Sequence, residues 1–174
     1  MEESPQADGS VITALFRHNR WANLKLLDAC AGLSDGQLGE TAVGGFGALG
    51  RTLEHIIKSE LSYVRRVSGA APPEPLPAEG FPGVEALRAA AAWSGDELLK
   101  LALATRADQI VADPPHDSFP RASLMLQALN HSTEHRTQIA TILTQLGIQP
   151  PEMDGWTYML EHDQFLVAGS ADSA

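Results

Sequence analysis

Two histidines four residues apart, His131 and His135, are the side chains of this sequence whose spacing most directly suggests chemistry. The segment around them is predicted to be helical, and side chains at this spacing leave the same face of a helix with Cβ atoms about 5–6 Å apart. Two imidazoles so placed can bind one divalent cation, because the helix fixes their geometry before the metal arrives. Such a pair also occurs by chance in helices, so a metal site needs a third ligand. His55 is the candidate.

The residues around His55 support this choice. In a helical projection of about 100° per residue, His55 shares its sector with four small side chains, which are Ala48, Thr52, Ser59 and Ser62. A helix face in bulk solvent more often carries long charged side chains. A sector of small residues is expected beside a cleft, where another element approaches closely.

Composition excludes several classes of partner. The formal net charge of −10 and the absence of a concentrated basic patch argue against nucleic-acid binding and against binding to anionic membranes. The N-terminus lacks the basic start and apolar run of a signal peptide, and no apolar stretch approaches the roughly 20 residues of a membrane span. We therefore expect a cytoplasmic protein. Its single cysteine, Cys30, lies among apolar residues and is predicted to be a buried structural thiol.

Apolar residues recur at helical spacing in four long segments, with no convincing strand pattern between them. The long helices are predicted over residues 10–31, 48–67, 83–107 and 120–147, with a short turn at 33–38 and a last short helix at 156–166. A proline-rich linker spans residues 69–82. We predict an all-α fold: an up-down four-helix bundle with a short extra C-terminal helix, a single domain over residues 1–174 with flexible tails at 1–9 and 168–174.

Local signals refine these boundaries. Ser34 and Gln37 form a capping-box pattern at the short turn, and Gly147 followed by prolines ends the fourth helix. Residues 113–116 form a further break. On the second long helix, the mainly apolar side consists of Leu49, Leu53, Ile56, Ile57, Glu60 and Val64.

The remaining histidines and glycines are given simpler interpretations. We interpret His18 as a helix-surface residue, His116 as a loop residue and His162 as part of a solvated helix face. The glycines at 44–50 lack the preceding strand and the lysine of a phosphate loop. His131 to His135 also fits the inverted zinc-protease pattern H-x-x-E-H, but that site needs a mixed α/β domain and a downstream carboxylate ligand.

Several motifs, taken together, resemble the DinB/YfiT superfamily of metal-binding four-helix proteins. Residues 15–23 (LFRHNRWAN) are similar to its first-helix "YNRWAN" signature, and residues 33–38 (LSDGQL) match its next turn. Residues 53–56 (LEHI) resemble its "LxHI" segment, and residues 131–139 (HSTEHRTQI) resemble its "HxxxHRGQI" block. The similarity extends from about residue 11 to residue 164. Two departures are Thr137, where the family usually has glycine, and Glu134, where many relatives have histidine.

The resemblance implies a divalent metal cation, commonly zinc, nickel or iron, held by His55, His131 and His135 with open positions for water or substrate. It also implies a homodimer. Characterised relatives include S-transferases and isomerases that use low-molecular-weight thiols. No serine or cysteine of the chain has the setting of a covalent nucleophile, so the metal would carry the reaction, with Glu134 or Gln138 as its proton or hydrogen-bond partner.

Two functions follow from this interpretation. The first is a metal-dependent enzyme for thiol transfer or hydrolysis on a small-molecule substrate, in the S-transferase or hydrolase class. The alternative is a non-enzymatic, stress-associated metal-binding module. A substrate-sized cavity walled by Trp156, Tyr158 and the first helix would favour the enzyme, whereas a metal without such a cavity would favour the module.

Overall fold

Helices dominate the computed structural model of this chain, which describes residues 10–112 and 118–162. In chain order its elements are α1 (Val11–Cys30), α2 (Asp35–Leu38), α3 (Leu49–Ser68), α4 (Val84–Leu103), β1 (Ile110–Val111), β2 (Phe119–Pro120), α5 (Arg121–Gln145) and α6 (Gly155–Glu161). The predicted all-α class is confirmed. The sequence pattern did not reveal the two short strands, which pair antiparallel with Val111 opposite Phe119. The predicted break at 113–116, the two predicted tails and the end of the last predicted helix lie outside the described residues.

Two predicted helix boundaries, the start of α2 and the end of α5, are found where the sequence pattern places them. At the start of α2, the Ser34 hydroxyl accepts a hydrogen bond from the Gln37 backbone N–H and the Gln37 side chain accepts one from the Ser34 N–H, which completes the capping box. After α5, Gly147 has a φ of 73°, a left-handed conformation that glycine adopts without strain.

Among the described helices, none is long and apolar enough to cross a membrane.

The four long helices form a ring in the order α1, α4, α3, α5. Both α4 and α5 pack against α1, and the same two helices pack against α3, so α1 and α3 lie diagonally across the bundle. Helices α1 and α4 run antiparallel: Arg20 pairs with Asp96 at 2.9 Å, and Asp28 near the end of α1 pairs with Arg88 near the start of α4.

Helices α3 and α4 run in the same direction, so the predicted up-down alternation is wrong. Leu53 and Leu87, from the first halves of the two helices, lie in one apolar cluster, whereas Val64 and Leu98 lie in another. The linker makes this arrangement possible. A 20-residue helix such as α3 is about 30 Å long, and an extended chain covers about 3.3 Å per residue. Residues 69–83 can therefore return to the end of the bundle where α3 begins.

Within the described residues, the core consists of two apolar clusters. The larger contains Leu26, Leu27, Cys30, Leu49, Leu53, Ile56, Ile57, Leu87, Ala90, Ala91, Ile139, Ile142 and Leu143. The smaller contains Phe16, Val64, Leu98, Ala102, Leu124, Met125 and Ala128. Along every long helix, a buried polar position separates the residues of one cluster from those of the other. We call these positions the buried polar layer; they are Asn19, Asn23, Glu60, Ser94, Ser132 and Arg136.

Helices α1 and α4 approach closely at Gly95. A Cβ atom at this position would lie 2.5 Å from Cγ and 2.7 Å from Cβ of Arg20, too close for any side chain. The absence of a side chain at Gly95 lets Arg20 cross α4 and reach Asp96. This contact fixes α1 against α4 beside the buried polar layer.

Candidate metal centre

The three histidines chosen from the sequence meet between α3 and α5. Each of His55, His131 and His135 offers one ring nitrogen, and these nitrogens all lie within 4.8 Å of one another. Among the described residues, this is the one group of three or more His, Cys, Asp or Glu side chains that could hold a metal ion. His135 is buried, whereas the other two are partly exposed, so the group lies at the edge of the bundle.

Gln138 fixes the orientation and the protonation of His135. Its side-chain oxygen accepts a hydrogen bond from the Phe46 backbone N–H at 3.2 Å, which identifies that atom as Oε1. His135 Nδ1 lies 2.8 Å from the same oxygen. Because an oxygen can only accept, Nδ1 must carry the proton, and this leaves the lone pair of Nε2 for a metal. A hydrogen bond of this kind orients most metal-binding histidines.

His55 and His131 face each other through Nε2 atoms 2.9 Å apart. Two such nitrogens can share a single proton, or both can direct a lone pair at a cation. Burial and the neighbouring rings of His135 and His55 together lower the pKa of His131 to about 4, with burial as the largest cause. Burial also lowers the pKa of His55. At neutral pH both rings are therefore neutral, which is the form that binds metal. A set of three imidazole ligands fits zinc, nickel or iron.

Phe46 closes one side of the histidine group. Its ring stacks on His55 with centroids 4.0 Å apart and planes 15° from parallel, and it contacts the edge of His135 at 5.1 Å. It belongs to the glycine-rich segment before α3, whose glycines at 44–50 the sequence analysis distinguished from those of a phosphate loop. Sequence reasoning missed Phe46, although an aromatic residue flanked by Gly45 and Gly47 could have indicated a loop that folds over a site.

The buried polar layer adjoins this group through α5, since Ser132 follows His131 and Arg136 follows His135. Glu60 is fully buried. Its Oε1 accepts hydrogen bonds from Asn19 and Asn23 at 2.8 Å each and from Ser132 at 2.9 Å, and its Oε2 accepts one from Ser94 at 2.8 Å.

Arg136 provides the positive charge of the same layer. Its Nη1 donates to Asn19 Oδ1 at 2.7 Å and to Asn23 Oδ1 at 2.6 Å. Burial lowers its pKa to about 10, against the opposing effect of Glu60. Two asparagine side chains therefore bridge a buried cation and a buried anion. The hydrogen bonds of the layer join all four long helices. They fix the position of α5 along the bundle axis, and with it the positions of His131 and His135.

The two residues predicted to assist the chemistry differ in position. Gln138 contacts the histidine group directly, as described above. Glu134 is exposed, and within the described part of the chain it has no hydrogen bond or ion pair.

The other histidines and the cysteine lie away from the group. His18 is half-buried rather than a plain surface residue: its Nε2 lies 2.8 Å from the Met153 carbonyl oxygen, and its ring contacts Tyr158. Burial lowers its pKa. His162 is exposed, as predicted, and His116 lies outside the described residues. Cys30 is buried, as predicted, and its burial raises the thiol pKa to about 12.

A cleft of about 730 Å³ opens beside His55. Its walls come from α2, α3 and the linker, and they include Leu38, Arg51 and Phe81. The sequence analysis named other walls for a substrate cavity: none of Trp156, Tyr158 and α1 lines this cleft. Trp156 is 67% exposed and Tyr158 packs on Trp21, so this corner of the molecule is a packing contact between α6 and α1.

Comparison with known proteins identifies the family of this chain. Residues 5–164 match the DinB family. Among solved structures, a DinB-like protein from Bacillus cereus ATCC 10987 is similar to this chain with a TM-score of 0.57 and 19% sequence identity, over 79% of this chain and 91% of that one. At this identity the likeness shows the fold. No curated protein sequence matches the chain.

Proposed function

The chain belongs to the DinB family, and we propose that it is a metal-dependent enzyme. In this proposal His55, His131 and His135 hold one divalent cation, zinc, nickel or iron, and the reaction is thiol transfer or hydrolysis on a small molecule. The observation that carries the proposal is the convergence of three ring nitrogens within 4.8 Å, on two helices that the buried polar layer holds in register. Three protein ligands with an open position are typical of catalytic rather than structural sites.

A divalent metal bound here would lower the pKa of a water or thiol and polarise a substrate carbonyl. The protein side chains supply the rest. Gln138 holds His135 in the tautomer that binds metal, and Phe46 shields His55 from solvent on one side. Glu134 is our candidate for proton transfer, because it is the acid next to His135 in the sequence and its side chain is exposed to solvent.

The cleft beside His55 favours an enzyme over a module that only binds metal. Small-molecule sites in proteins are commonly clefts of about 300–1,000 Å³, and this one is about 730 Å³. A module that stores or senses metal needs no substrate-sized cleft next to a metal-ligating residue. Low-molecular-weight thiols are the substrates we would test first, since their sulfur is a good ligand for the metals that imidazoles bind.

Activity assays with matched variants test the proposal. Metal-loaded wild-type protein, metal-free protein and the His131→Ala variant are assayed against panels of thiol-transfer and ester substrates. We expect activity in the loaded wild-type protein alone, and a severalfold loss in Glu134→Gln. Activity that survives metal removal would contradict the mechanism. Metal binding without activity on any substrate would favour the metal-binding module.

A further inference from the structure

Arg51 and His55 line the same cleft from the same helix. They are four residues apart on α3, so their side chains are neighbours on one helix face. A group bound by Arg51 would therefore lie within a short molecule's length of the histidine group.

Arg51 is also the cation of the cleft that has no partner within the described residues. The other cation, Lys58, lies 2.7 Å from the Glu54 carboxylate and donates to the Pro77 carbonyl oxygen at 2.9 Å. Two further acids of the lining, Asp35 and Glu79, belong to α2 and to the linker. Neither of them pairs with Arg51. The guanidinium is thus left with its full hydrogen-bonding capacity at the cleft.

The rest of the lining suits a compact apolar body. Leu38 and Phe81 contribute apolar surface, and three glycines expose backbone. A Cβ atom on Gly50 would lie 3.5 Å from both the Leu38 Cβ and the Phe81 ring, so α2 and the linker approach α3 closely at this glycine. A cleft lined in this way would bind a ligand with an apolar body and one anionic end.

We propose that this cleft is the substrate site, that its ligand is a small carboxylic acid, and that Arg51 is the residue that binds the carboxylate. The guanidinium presents paired N–H donors that match the two carboxylate oxygens. The opposite end of the ligand would then reach the metal beside His55. This inference rests on the proposed metal-dependent function, and it adds the class of substrate and the residue that selects it.

The test compares two thiols of the same shape. The probes are meta-mercaptobenzoate and the neutral meta-mercaptobenzamide, added to protein loaded with Co²⁺, whose visible bands change when a thiolate binds. The meta position keeps the carboxylate from reaching the same metal ion as the sulfur. We expect wild-type protein to bind the benzoate about tenfold more tightly than the amide, as a charged hydrogen-bonded pair allows.

Substitutions at position 51 test whether Arg51 causes the preference for the benzoate over the amide. Arg51→Met should reduce the benzoate-to-amide ratio to about one while the amide affinity stays unchanged, and Arg51→Lys should retain part of the ratio. Arg17→Met, an exposed arginine of α1, serves as the control and should leave the ratio intact. Equal affinities in wild-type protein, or a ratio that persists in Arg51→Met, would overturn the inference alone. A failure to bind cobalt, or cobalt bands that neither thiol changes, would overturn the proposed function and the inference with it.

Discussion

Replacement of Glu60 by glutamine removes the buried negative charge and leaves the shape of the side chain unchanged. The remaining oxygen of glutamine can still accept hydrogen bonds from Asn19, Asn23 and Ser132. The new amide nitrogen would face the Ser94 hydroxyl, which can turn to donate to the Ala91 carbonyl oxygen, 3.3 Å away in the native structure. The substitution therefore tests charge rather than packing.

The expected cost comes from Arg136. Arg136 is 4% exposed, and the charge of its guanidinium is balanced through the two asparagines by the Glu60 carboxylate. Loss of one partner of a buried ion pair typically costs about 3–5 kcal/mol, because the other charge stays buried without compensation. We expect Glu60→Gln to lower the free energy of unfolding by about 3 kcal/mol.

Urea unfolding followed by far-UV circular dichroism measures this loss. With a denaturant dependence of about 2–3 kcal/mol per molar for a domain of this size, the midpoint should fall by about 1–1.5 M urea. Glu97→Gln is the matched control, since Glu97 forms a surface pair with Lys100. It should cost at most about 0.5 kcal/mol.

A double mutant separates the charge effect from general damage. Arg136→Met alone leaves Glu60 unbalanced and should cost several kcal/mol. Glu60→Gln combined with Arg136→Met removes both charges, so it should be less destabilised than the sum of the single losses by about 1–3 kcal/mol. A cost below about 1 kcal/mol for Glu60→Gln, or strictly additive losses, would refute the interpretation of the layer as a bridged ion pair.

Three further predictions follow from the site and its surface. Gln138→Leu should weaken metal binding about 10- to 100-fold by releasing His135, as measured by competition with a chromogenic chelator; unchanged affinity would exclude its orienting role. The metal-free protein should lose stability as pH falls from about 6.5 towards 4, because the unfolded chain takes up a proton near the ordinary pKa of 6.5 while folded His131, with a pKa of about 4, does not. Urea midpoints should show this fall, with a smaller fall in His131→Asn; identical pH dependence in both proteins would contradict it. Light scattering should give about twice the 18.6 kDa mass of the chain, since we propose a homodimer, and a monomer at micromolar concentration would end that proposal.

The sequence predicted the elements of this fold because their signals are local. The 3.6-residue periodicity located all four long helices, and the Ser34–Gln37 capping box and Gly147 marked ends that the structure shows. Two of the three histidines share a helix face and the third lies in a sector of small residues, and the resemblance to the DinB/YfiT superfamily singled out this set. These patterns depend on residues within a few turns of one another.

The features that the sequence did not predict depend on distant contacts. The parallel orientation of α3 and α4 depends on where the linker packs. The hydrophobic periodicity of the sequence carries no information about that packing. Glu60 could be placed on the apolar side of its helix, but its partners come from three other helices. Phe46 contacts the histidines because of the way the loop before α3 folds. His18 is half-buried because α6 packs on α1. Tertiary packing sets each of these positions.

Metal content tests the central claim most directly. Wild-type protein, His131→Ala and His135→Ala are purified without a chelator or an affinity-nickel step and analysed by inductively coupled plasma mass spectrometry, with circular dichroism to verify the fold. We predict about one zinc, nickel or iron ion per chain in the wild-type protein and a loss of most of it in both folded variants. Wild-type protein that takes up no divalent metal, or variants that retain the full amount, would contradict the assignment of His55, His131 and His135 as a metal centre.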